Sequence, residues 1–191
     1  MARVYGIQKR LAQLGIDEKI AKEIIGNGDL VDIIGRMEKS LDPDTVYQIL
    51  DTCACGGGRE YIKQCEKIGK ELAGKTLSEK IDFINNDPDL THITLNDDNT
   101  LTITMSFQGN GEYGCACSAA VKNGVRVSDL ASDKSAAGRV MPLSYCVCCA
   151  GSCRRHLQLK LGVELKTKEI ISSPINSRGE KPCRFILEIV E

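Results

Sequence analysis

The chain is predicted to be α+β: N-terminal helices followed by a mostly antiparallel sheet with one late helix and a C-terminal hairpin. Three observations predict this. Between residues 1 and 88 apolar side chains recur at helical spacing, punctuated by glycine and aspartate. After Asp87-Pro88 the period changes to two. The end of the chain, Cys183 to Val190, alternates Phe185, Leu187 and Ile189 on one face, and it follows a helix that Gly162 is suited to close. Residues 1–88 therefore read as a helical region and 89–191 as an α+β cysteine-rich region, an organisation that one continuous domain would also satisfy.

Taken in order, Val4, Ile7, Leu11 and Leu14 make the first helical stripe, and Gly15 stops it. Asp17 can cap a second helix carrying Ile20, Ala21, Ile24 and Ile25, which ends at Gly26-Asn27-Gly28. Asp29 can cap a third, with Val31, Ile33, Ile34 and Met37. Asp42-Pro43 joins a cap to a proline at the first helical position, and Val46, Ile49 and Leu50 follow. Gly56-Gly57-Gly58 breaks the chain; it lacks the Lys-Ser/Thr ending of a phosphate loop and reads as a tight turn. The next helix should run from Arg59 to about Leu72, with Tyr61, Ile62, Cys65, Ile68 and Leu72 on one face. Thr76 or Ser78 starts another, bearing Leu77, Ile81, Phe83 and Ile84.

Ile93 and Leu95, then Leu101, Ile103 and Met105, alternate about Asn96-Asp97-Asp98-Asn99, a hairpin pattern. Gly-rich sequence from Gly109 to Gly114 follows, and Ser128 to Gly138 reads as a loop or short helix. The late helix is expected from roughly Gly151 to Leu161. Strands Val163–Ser172 and Pro182–Val190 should pair across a turn near Asn176–Gly179.

Composition excludes several functions. Lys and Arg number 25 against 26 Asp and Glu, so a basic footprint for nucleic acid is missing. Aromatic residues are 4% with no Trp, which leaves few stacking platforms. A nucleic-acid partner is not expected. No stretch approaches the ~20 apolar residues of a membrane span, and the first residues lack a signal-peptide core. The expected compartment is the cytoplasm, where thiols stay reduced. A homo-oligomer is compatible with the sequence.

Ten cysteines carry the chemical signal. Eight of them fall in tight groups, Cys53-Ala-Cys55, Cys115-Ala-Cys117 and Cys146-Val-Cys148-Cys149-Ala-Gly-Ser-Cys153, and Cys65 and Cys183 stand apart. Soft metals need several thiolates converging on one point, whereas thiols used as small apolar filler have no reason to bunch. If the late helix starts near Ala150, Cys149 and Cys153 lie one turn apart. A helix N-terminus, with Arg154, Arg155 and His156 nearby, would favour the thiolate. Cys146, Cys148, Cys149, Cys153 and Cys183 are the candidate ligands of one site. In extended chain Cys53 with Cys55, and Cys115 with Cys117, each present two sulfurs to one side, which makes these four a second possible site. Zinc is the expected ion and an iron–sulfur cluster the alternative, although the spacings match neither ferredoxin runs nor a zinc ribbon. A third reading is a thiol enzyme with Cys149 or Cys153 as nucleophile. Cys65 reads as core, His156 as a surface residue or an imidazole ligand, and His92 as an ordinary strand residue.

The run from Ser144 through Cys153, the helix to Leu161-Gly162, a strand, then Gly179-x3-Cys183-Arg184-Phe185 resembles the C-terminal part of the 4-vinyl reductase small-molecule-binding domain. It is also similar to aminothiazoline-carboxylate hydrolase-like proteins, a resemblance that would make the thiol enzyme a hydrolase of that type, and the whole chain resembles uncharacterised cysteine-rich proteins of anaerobic bacteria. The vinyl-reductase likeness spans roughly the last fifty residues. It implies a small-molecule ligand, and zinc held by Cys149 or Cys153 together with Cys183. The hairpin loop Ser172–Gly179 has neither thiol nor carboxylate, so further ligands would fall to Cys146 or Cys148.

Overall fold

The computed structural model describes residues 2–27, 30–52, 58–86, 91–106, 108–109, 112–114, 143–177 and 179–190. The fold is α+β, as expected. Among the described residues six helices come first: α1 (Ala2–Gln13), α2 (Glu18–Ile25), α3 (Leu30–Ser40), α4 (Pro43–Thr52), α5 (Arg59–Glu71) and α6 (Leu77–Asn85). Their starts follow the capping chemistry in the sequence. Asp17 accepts from the Lys19 and Ile20 amides at the head of α2. Asp42 accepts from the Thr45 amide and hydroxyl before Pro43. Thr76 and Glu79 form a reciprocal capping box at α6. The expected Asp29 cap lies outside the described residues.

Strands β1 (Thr91–Leu95), β2 (Thr100–Met105), β5 (Glu164–Ser172) and β6 (Cys183–Val190) form an antiparallel sheet in the order β1-β2-β6-β5. A small second ladder pairs β3 (Gln108–Gly109) with β4 (Glu112–Tyr113). The predicted hairpin turns where expected: the Asn96 amide donates to the Thr100 carbonyl, and Asn99 adopts a positive φ of 60°. Between β2 and β5 lie a 3₁₀ turn (Leu143–Cys146) and the late helix α7 (Val147–Leu161). Gly162, at φ 69°, closes α7 in the left-handed conformation.

Two expectations need correction. Helix α7 starts at Val147, four residues before the expected Gly151, because the 3₁₀ turn feeds directly into it. The β5–β6 connection is not a plain turn but contains a single-turn helix, α8 (Pro174–Ser177). Its backbone is held by the Ser173 hydroxyl, which accepts from the Asn176 amide, and by the Ser177 hydroxyl, which donates to the Ser173 carbonyl.

The helices cover one face of the sheet. Ile93, Leu101, Ile103, Phe185, Leu187, Leu165 and Ile170 are buried there, in one apolar cluster with Ile7, Leu11, Ile24, Ile33, Met37 and Ile49 of the helices. The opposite face carries exposed His92, Thr94, Lys166, Arg184 and Glu188. Tyr61 and Phe83, expected on buried faces, are 40% and 48% exposed. β1 is an edge strand, and its free side is occupied by Asn85: the side-chain amide donates to the Ile93 carbonyl at 2.8 Å, while its oxygen accepts from the Ile93 amide at 2.8 Å. One asparagine thus makes the two bonds a further strand would make.

Helix α7 is the central helix, in contact with α4, α5, α6 and β5. Where α5 crosses it, Gly69 faces backbone: a Cβ there would sit 2.1 Å from the Leu159 carbonyl oxygen. From α6, Lys80 donates to the Leu161 carbonyl at 2.6 Å, satisfying the end of α7. The strongest polar tie is Arg154. Its guanidinium pairs with Asp51 of α4 at 2.8 Å and 3.2 Å, and Thr167 of β5 donates to the same carboxylate at 2.5 Å.

Alanine is the better helix former by about 1 kcal/mol. Gly69→Ala should nevertheless lower stability by about 1–3 kcal/mol in urea unfolding, because the added methyl meets backbone. A raised midpoint would show that α5 and α7 do not approach this closely. Asp51→Asn should cost about 1–3 kcal/mol, less than the roughly 3–5 kcal/mol of a fully buried pair, since both side chains keep about a fifth of their exposure. A double-mutant cycle with Arg154→Met should return a coupling of at least about 1 kcal/mol, and additivity would remove the pair from the account.

Candidate metal centre

The thiols converge at the start of α7. Cys146 closes the 3₁₀ turn, Cys149 lies in the first turn of α7, and Cys183 opens β6. In sequence Cys183 is remote from the others, but β6 is the central partner of β2 and β5, which brings its first residue beneath the helix start. The Cys183 thiol is within hydrogen-bonding reach of the thiols of both Cys146 and Cys149. Cys146 and Cys183 are buried, and Cys149 is partly buried. Among the described residues, no group of three or more His, Cys, Asp or Glu side chains forms a ready-made metal cage. The sulfurs adjoin; enclosing an ion would require them to turn toward a common point.

Cys153 is one turn further along α7 and partly buried against the core. It feels Cys149 on one side and Cys65 of α5 on the other. Cys65 is completely buried, as expected of core, and its thiol bonds with Tyr61. Cys148 is also buried, but the helical rotation of about 100° per residue turns it away from Cys149. None of these six cysteines is in a disulfide. Cys53, Cys55, Cys115 and Cys117, the second possible site, lie outside the described residues.

The electrostatics correct one expectation. Helix start and nearby cations were expected to favour thiolates. Instead, burial pushes the Cys153 thiol up to about 12, reinforced by Cys149 and Cys65 and only partly opposed by Lys160. Cys183 is raised too, first by its bonds with the Cys146 and Cys149 thiols and then by burial. Arg154 does not serve the thiols, because Asp51 holds it. His156 stands edge-on to Tyr61, ring centroids 4.7 Å apart, and Lys160 lies 5.8 Å from the same ring. His92 is exposed on the open face of β1.

Sequence reasoning missed the polar neighbours of Cys146. Ser144, in the same 3₁₀ turn, donates to Glu38 of α3. Tyr47 of α4 is raised by burial, partly offset by a backbone bond with Ile170, and raised further by Glu169, Cys146 and Glu38. These residues come from α3, α4 and β5, and no local pattern links them to the cysteine run.

Comparison with known proteins gives no matching family model, no matching curated protein and no matching solved structure.

The raised thiols make a pH prediction. A thiol whose folded pKa exceeds its unfolded value holds its proton more tightly in the native state. Its contribution is fully present below the ordinary 9.0 and is lost as the pH rises toward about 12. Metal-free protein should therefore lose stability across that window. In Cys153→Ala the decline should be shallower; an equal decline would mean that this thiol is not the group responsible.

Proposed function

We propose that this chain is a thiolate metal-binding protein, with Cys146, Cys149 and Cys183 as its central donors, Cys153 as the nearest fourth, and zinc as its ion. The observation that carries this reading is the contact of the Cys183 thiol with both Cys146 and Cys149. Three thiols from two separate segments meet in a buried region, and their donor chemistry suits a soft or borderline cation. A bound ion would tie the start of α7 to β6 and add directly to folding free energy. The proton must leave each thiol as the ion enters, so loading should improve as the pH rises.

No described helix is long and apolar enough to cross a membrane. A cytoplasmic setting is part of the proposal and rests on grouped thiols needing a reducing compartment. A small-molecule ligand rests on the vinyl-reductase resemblance alone. The hydrolase reading draws no support from Cys153, one of its two candidate nucleophiles, since a nucleophile needs a lowered pKa and Cys153 is raised.

Elemental analysis of protein purified without chelator should find about one equivalent of zinc or more. Cys183→Ser should lose about one equivalent, while Cys65→Ser keeps it. Wild-type protein carrying less than about half an equivalent of any transition metal would sink the proposal. Brown, iron-containing protein after anaerobic purification would replace zinc with an iron–sulfur cluster.

A further inference from the structure

The charge around the three thiols points to a second class of ligand. Cys146 and Cys183 are buried, and the carboxylate of Glu38 accepts from Ser144, two residues before Cys146. Of the cations nearest in sequence, Arg154 is engaged by Asp51. Arg184 is exposed, on the face of β6 opposite Cys183. A dication held by three thiolates leaves one net negative charge in this setting, and a buried unbalanced charge is costly. A trivalent ion on three thiolates leaves none.

We propose that Cys146, Cys149 and Cys183 bind trivalent arsenic, taken up as arsenous acid. The inference rests on reading these three residues as a donor set. The chemistry is a condensation: three S–H and three As–O bonds break, three As–S bonds form, and three water molecules leave. Arsenic stays trivalent and no electron is transferred. Arsenous acid is neutral, the thiols are neutral and the product is neutral, so no charge is buried at either end of the reaction. Trivalent arsenic is pyramidal and three-coordinate, so Cys153 is not required. Cys183 is in reach of both other sulfurs, so binding requires only that the three turn toward a common point.

The test uses the full chain, reduced and metal-free, with sodium arsenite as the probe. Native mass spectrometry should show the gain of one arsenic less three protons. Alkylation followed by peptide mapping should show Cys146, Cys149 and Cys183 protected together, in wild-type protein and so independently of any variant's folding. Serine at any of the three should weaken binding at least about tenfold, whereas Cys65→Ser and Cys148→Ser should stay within about twofold. A mass showing a retained hydroxyl, meaning two thiols only, would overturn the proposal. So would protection confined to Cys53, Cys55, Cys115 or Cys117. Zinc binding without arsenic binding overturns this inference and leaves the proposed function standing. Arsenic binding without zinc supports the inference and removes zinc as the ion. Failure of both overturns both.

Discussion

Arg154 reaches from α7 to the Asp51 carboxylate at the end of α4, and Thr167 of β5 donates to that same carboxylate. Arg154 also donates to the Leu165 carbonyl at 3.3 Å, so its guanidinium joins helix, helix and sheet. The position of α7 depends on this junction together with the close approach of Gly69 to Leu159. One sets the helix against the sheet; the other sets it against α5. Because Cys146 and Cys149 ride on the start of α7 and Cys183 on β6, their meeting is a consequence of where α7 lies. A partly shielded bidentate pair is well suited to this role, since its geometry is directional where apolar contact is not.

The same junction explains the character of the thiols. With Arg154 held by Asp51, the charge nearest the cysteine run is withdrawn from it. Cys153 and Cys183 then answer mainly to burial and to the neighbouring thiols, and for these two both effects favour the proton. A thiol raised in this way is a weaker nucleophile than a free one, because less of it is thiolate.

Much of the fold was legible because its signals are local. Asp17, Asp42 and Thr76 cap helices by bonds to amides two or three residues away, so spacing alone predicts them. The Asn96–Asn99 turn and the Gly162 cap are of the same kind. The errors arose where distant contacts decide. Tyr61 and Phe83 sit at apolar helical spacing, yet the partner surfaces leave both half exposed. In β5, a bulge between Thr167 and Glu169 changes which alternate residues face inward, putting Ile170 on the buried face. No period-two pattern anticipates that shift. The early start of α7 was missed because a 3₁₀ turn carries no distinct periodicity.

By itself the sequence determined the α+β order, most helix starts, the central hairpin and the presence of bunched thiols, because each depends on residues within a turn or two of one another. Only the tertiary structure decided which thiols meet. Cys146 and Cys149 join Cys183 across more than thirty residues of chain because β6 enters the sheet between β2 and β5. It also decided that Arg154 serves Asp51 and not the cysteines, and that burial raises the Cys153 and Cys183 thiols. Spacing along a chain reports which side chains can share a face, whereas burial and charge balance depend on what the rest of the chain brings against that face.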